Sequence, residues 1–146
     1  MIAMRLGSLG MSDRQFLAAL TDLSYSAAAF HHGDHLRLGW LLLEQLGLEA
    51  AIGKAADLIR GFGAHHGKAD LYHETITRGW MRLLASHDEK SFQEFVEKNE
   101  PRLTRELLHL YWKPETLYGP DARARWVEPD IRALPEVARR IRGTSS

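Results

Sequence analysis

Three long stretches of this chain repeat their apolar residues at the spacing of an α-helix. Residues three, four and seven positions apart lie on one face of a helix, and an apolar face has to be buried against other elements. No run of alternating apolar and polar residues indicates a strand. The sequence therefore predicts an all-α protein, a compact bundle of about five to six helices. The apolar stripes are Leu36, Gly39, Trp40, Leu43 and Leu46, then Ala51, Ile52, Ala55, Ile59 and Phe62, then Tyr72, Ile76, Trp80, Leu83 and Leu84.

Capping residues and helix breakers predict where the helices begin and end. Ser12 and Gln15 have the spacing of a capping box, and Asp70 and Asp88 are residue types that often begin a helix. The predicted helices run from 13 to about 23, from 33 or 34 to 46, from 48 to 64 and from 70 to 86, followed by a short helix after Asp88 and another from Pro101 to Trp112.

The chain changes character after Pro114. Pro120, Pro129 and Pro135 interrupt this part, and proline disfavours long helices. Its apolar residues are too many for a solvated tail. We therefore predict a mostly extended C-terminal segment whose residues 118–134 pack on the bundle.

Size and charge limit the classes of protein to which this chain can belong. Its 146 residues suit one domain, predicted over residues 12–142, with disordered ends at 1–11 and 143–146. The 19 basic and 19 acidic residues balance, so we expect neither a nucleic-acid nor a membrane partner. There is no cysteine, which excludes disulfides and thiolate metal ligands. No signal peptide or membrane span is recognisable at the start, and the expected location is the cytoplasm.

Histidine is the residue type whose distribution needs an explanation. Six of the eight histidines lie between positions 31 and 73, close to predicted helix ends. Short links make the second, third and fourth helices antiparallel, so the start of the second, the end of the third and the start of the fourth share one end of the bundle. Helical phase turns His32, His66 and His73 towards the core at that end, with His35 beside them.

A group of inward imidazoles suits a transition metal. Neutral imidazole is a common ligand of Zn, Fe, Ni and Cu, and bundle interiors often hold metals. The leading hypothesis is thus a metal site formed by His32, His35, His66 and His73, with Glu74 as an outer residue that orients a ligand. If the site is catalytic, the candidate acid–base groups are Glu74, Tyr72 and Thr75.

Two other interpretations remain open. Trp40, Tyr72, Thr77 and Trp80 are candidates to line a metal-free pocket, in which the imidazoles hydrogen-bond a small molecule. Alternatively, each histidine is a hydrogen-bonded structural residue, and the protein acts through contacts with itself, as a homo-oligomer, or with a partner protein.

Three strings of the sequence resemble a known group of proteins. They are residues 30–37, Phe-His-His-Gly-Asp-His-Leu-Arg, residues 72–77, Tyr-His-Glu-Thr-Ile-Thr, and residues 124–130, Ala-Arg-Trp-Val-Glu-Pro-Asp. The chain resembles, over most of its length, a family of small, uncharacterised bacterial proteins that are all-helical. The resemblance implies a bacterial source and transfers no activity.

Overall fold

The computed structural model describes residues 4–142 and contains, within them, helices and turns but no strand. The predicted all-α class is confirmed. Short 3₁₀ helices at Ala27–Ala29, Ala69–Leu71, Glu100–Arg102 and Arg105–Leu110 lie between the α-helices. The α-helices are α1 (Asp13–Thr21), α2 (His32–Leu46), α3 (Leu48–His65), α4 (Glu74–Ala85), α5 (Phe92–Asn99), α6 (Pro114–Leu117), α7 (Pro120–Ala124) and α8 (Arg139–Arg142).

Helices α2, α3 and α4 pack against one another at the centre of the bundle. Gly47 alone joins α2 to α3, and its φ of 79° is a conformation that glycine adopts without strain. Phe30, just before α2, packs against Phe62 in the last turn of α3, with ring centroids 4.9 Å apart. His32 of α2 and His73, which precedes α4, line the same cavity. The three helices are therefore antiparallel in sequence, as predicted.

A buried carboxylate holds the N-terminal segment to α2. Asp34 is fully buried and accepts hydrogen bonds from the backbone N–H groups of Gly7 at 2.9 Å, Ser8 at 3.0 Å and His31 at 3.0 Å. It also accepts one from the Ser8 hydroxyl at 2.5 Å. Within the described residues, the backbone N–H groups of Gly7 and Ser8 have no other acceptor than this carboxylate, so Asp34 fixes the path of the segment.

Two neighbours of Asp34 complete this attachment. Arg37 donates hydrogen bonds to the carbonyl oxygens of Ser8 at 2.9 Å and Met11 at 2.8 Å. A Cβ at Gly33 would lie 2.7 Å from the carbonyl oxygen of Arg5, so only glycine lets the segment approach this closely. Residues 4–11, for which the sequence predicts disorder, are placed by these contacts. The other predicted disordered residues, 1–3 and 143–146, lie outside the described part of the chain.

The segment after Pro114 packs on the bundle, as predicted. The Thr75 hydroxyl donates to the carbonyl oxygen of Arg125 at 2.7 Å and accepts from the backbone N–H of Val127 at 3.1 Å. The Trp112 indole donates to the carbonyl oxygen of Val127 at 2.9 Å, and the Trp126 ring meets that indole edge to face. The segment contains the short helices α6 and α7 before its extended part, which the sequence did not predict.

Two predicted helix starts and one predicted helix differ from the structure. His73, and not Asp70, caps α4, and Ser91, and not Asp88, caps α5. The stretch from Pro101 to Trp112 forms two 3₁₀ helices in place of one α-helix. The capping box of Ser12 and Gln15 is confirmed. None of the described helices is long and apolar enough to cross a membrane.

Candidate functional site

A cavity of about 530 Å³ opens between α2, α3 and α4, at the end of the bundle where the sequence gathers its histidines. The 3₁₀ helix Arg105–Leu110 and the link between α3 and α4 complete its wall. His35, Leu71, Arg105 and Tyr118 are exposed and therefore mark the mouth. The wall is mainly apolar, and its apolar residues are Leu36, Leu38, Ala55, Ile59, Leu71, Ile76, Trp80, Met81, Leu84 and Leu108.

Seven polar side chains also line the cavity: His32, His35, Tyr72, His73, Thr77, Arg105 and Tyr118. None of them is acidic. The seven are not equally predictable from the sequence. The histidines, Tyr72 and Thr77 follow from helical phase, whereas Arg105 and Tyr118 lie in segments without a periodic pattern. Nothing in the local sequence separates Arg105 from the neighbouring Arg102.

His73 is a structural histidine. Its Nδ1 accepts a hydrogen bond from the backbone N–H of Ile76 at 3.0 Å and so caps α4. Its Nε2 lies 2.7 Å from the carbonyl oxygen of Leu117, to which it must donate. Both ring nitrogens are thus occupied by the fold in the neutral state, and burial lowers the pKa of His73. The sequence predicts this residue as one of four metal ligands, but in this arrangement it has no free nitrogen for a ligand.

His32 and His35 lie on the cavity wall. The His32 ring meets the Trp80 ring at a centroid distance of 5.0 Å, and the His35 ring stacks on Phe30 at 4.0 Å. Burial lowers the pKa of both histidines from the usual 6.5, and the positive charge of Arg105 lowers them further. For His35, the negative charge of Asp34 partly offsets this lowering of the pKa. Both imidazoles are therefore neutral at pH 7.

His66 lies apart from the cavity. Its ring packs on Phe62 at 4.4 Å and on His65 at 4.9 Å, and it is not among the lining residues. Its Nε2 is buried without a hydrogen-bond partner, as is the Nε2 of His32. The four histidines therefore reach the same end of the bundle without converging on one point. In residues 4–142, no group of three or more histidine or carboxylate side chains is arranged to hold a metal ion.

The three candidate acid–base residues have other partners. Glu74 accepts a hydrogen bond from the Tyr72 hydroxyl at 2.8 Å and forms an ion pair with Arg60 at 3.2 Å, and it does not line the cavity. Burial and this bond to Glu74 raise the pKa of Tyr72 to about 12, so its hydroxyl stays protonated. Thr75 is fully buried and both of its hydrogen bonds hold the C-terminal segment.

Three of the four predicted pocket residues line the cavity: Tyr72, Thr77 and Trp80. Trp40 does not line this cavity. Its ring is fully buried, stacks on Phe95 at 4.9 Å and lies under the guanidinium of Arg140 at 4.0 Å. Trp40 is eight residues along α2 from His32, which is about 12 Å of helix, so the same face reaches a different part of the core.

Comparison with known proteins gives no further assignment. No family model, curated protein or solved structure matches this chain.

Proposed function

We propose that this protein binds a small, largely apolar organic molecule in the cavity between α2, α3 and α4. The observation that carries the proposal is the cavity itself, with its volume of about 530 Å³ and its predominantly apolar wall. Small-molecule sites have roughly 300–1,000 Å³ and combine apolar walls with a few polar groups. The position between helices of a bundle is also typical of such sites.

The protonation and the hydrogen-bond partners of the polar groups support the binding of a small molecule over metal-dependent chemistry. His32 and His35 are neutral imidazoles on the wall, which can donate or accept one hydrogen bond each. His73 is occupied by the fold, and Glu74 faces Arg60 outside the cavity. A metal site in the bundle remains a prediction without a donor set to support it.

A neutral aromatic probe tests the proposal. Titration with 2-naphthamide, followed by two-dimensional amide NMR, should shift signals at the start of α2 and in the first half of α4. Ala55→Phe puts a large ring into the cavity from a position that is buried on its wall, and should abolish these shifts.

The matched control is Ala50→Phe, which adds the same ring at an exposed position of α3 outside the cavity. It should leave the titration unchanged. If Ala55→Phe does not fold, Thr77→Phe fills the cavity from a half-buried position. Shifts that persist in the cavity-filled variants, or that lie elsewhere on the protein, would refute the proposal.

A further inference from the structure

One cationic side chain on the wall of the cavity forms no ion pair with a carboxylate of the described residues. Arg105 lines the cavity and is exposed at its mouth. It takes part in none of the ion pairs found within residues 4–142. The lining residues include neither aspartate nor glutamate. An unpaired guanidinium at the edge of an apolar cavity is a point of attachment for an anion.

The two imidazoles nearest to this charge restrict the number of negative charges that fit. His32 and His35 lie close enough to Arg105 for its charge to lower the pKa of each, and neither adds a second positive charge at pH 7. A phosphate dianion would therefore keep an uncompensated charge next to an apolar wall, which is unfavourable. A monoanion is balanced by Arg105 alone.

Geometry favours a carboxylate among monoanions. The guanidinium fork presents two parallel N–H donors that match the two oxygens of a carboxylate. Building on the proposed function, we infer that the ligand is an amphiphilic monocarboxylate, with its carboxylate on Arg105 and its apolar body against Ile59, Trp80 and Met81.

A pair of probes with nearly the same shape tests this inference. Calorimetry should show that 2-naphthoate binds roughly tenfold more tightly than the neutral 2-naphthamide, since only the former pairs with the guanidinium. Arg105→Gln should remove this preference by weakening 2-naphthoate roughly tenfold, and should leave 2-naphthamide unchanged. Arg102→Gln, an exposed arginine of the same region that does not line the cavity, is the control and should keep the preference.

Proton uptake gives a second readout. His35 faces His32, Arg105 and Asp34, and His32 faces Arg105 and Glu106. A carboxylate on Arg105 offsets its repulsion of the two imidazoles and raises their pKa towards the usual 6.5. Binding of 2-naphthoate should therefore take up protons at acidic pH, below the usual pKa of 6.5, measured as a dependence of the binding heat on the ionisation enthalpy of the buffer, while 2-naphthamide should take up none.

The outcomes separate the two proposals. If both probes bind in the cavity with equal affinity, or if Arg105→Gln does not change the preference, the carboxylate inference is wrong and the cavity remains a binding site. If neither probe binds, the proposed function fails and the inference fails with it.

Discussion

At the residue scale, the histidines differ in what their ring nitrogens already contact. His73 joins the start of α4 to Leu117 across 44 positions of sequence, a contact that no local pattern predicts. The His32 ring packs against Trp80 and the His35 ring against Phe30, and both imidazoles line the cavity. Helical phase predicts that His32 and His73 face the core, and both line the cavity. Phase does not say whether an inward imidazole binds a ligand or the backbone.

We predict that His73→Ala destabilises the protein. The change leaves the N–H of Ile76 without its cap and the buried carbonyl of Leu117 without its donor, which should cost about 1–3 kcal/mol in the free energy of unfolding. Urea denaturation measures this loss. His65→Ala, at an exposed position, should stay within about 0.5 kcal/mol of the wild type.

The same pair of variants bears on the metal hypothesis. If His73 is a ligand, its removal should abolish binding of added Zn²⁺ while the free energy of unfolding without metal stays the same. That result would contradict the structural role assigned here and would restore the metal site as the better interpretation.

At the scale of elements, the periodic spacing of apolar residues predicts the buried faces of helices more reliably than capping residues predict where the helices begin. The faces of α2, α3 and α4 follow from the spacing of their apolar residues, because burial of a whole stripe outweighs any single position. The start of α4 does not follow from the sequence around it, since the distant carbonyl of Leu117 orients the capping residue His73. The role of Asp34 also cannot be predicted from the local sequence, because its donors Gly7 and Ser8 lie 27 and 26 positions away.

We predict that Asp34→Asn releases the N-terminal segment from α2. An amide in place of the carboxylate has one acceptor oxygen and removes the charge that strengthens the bonds from Gly7, Ser8 and His31. Hydrogen exchange at residues 4–11 should become faster, and stability should fall by about 1–3 kcal/mol. Asp57→Asn, at an exposed position of α3, is the control and should change neither. Unchanged exchange in Asp34→Asn would show that other contacts hold the segment.

At the scale of the whole molecule, the sequence predicts which helix ends lie together. It does not predict which residues of the later chain complete the wall of the cavity between them. Antiparallel packing of α2, α3 and α4 follows from short links, so the neighbourhood of His32 and His73 is predictable. Arg105 and Tyr118 reach the cavity only because the irregular chain after α5 folds back over it. Such segments are positioned by long-range hydrogen bonds, and these have no periodic signature in the sequence.

The whole molecule should lose stability in mild acid. Burial is the main cause of a lowered pKa at His32, His35, His73 and His87. The unfolded chain takes up protons at these positions near the usual pKa of 6.5, whereas the folded protein takes them up only at lower pH. The unfolded state therefore binds more protons as the pH falls below about 7, and each histidine contributes a loss of up to about 1.4 kcal/mol per pH unit until its folded pKa is reached.

Urea denaturation at about pH 7.5 and about pH 5.5 checks this prediction, and the free energy of unfolding should be lower at the acidic pH. His73→Gln removes one of the titrating groups, so the difference between the two pH values should be smaller in this variant, whatever its stability at neutral pH. A wild-type stability that is constant or rises towards pH 5.5 would mean that the four imidazoles are hydrated in the folded protein, and that the surroundings of His32, His35 and His73 at the cavity and of His87 beside Phe95 are less enclosed than their packing indicates.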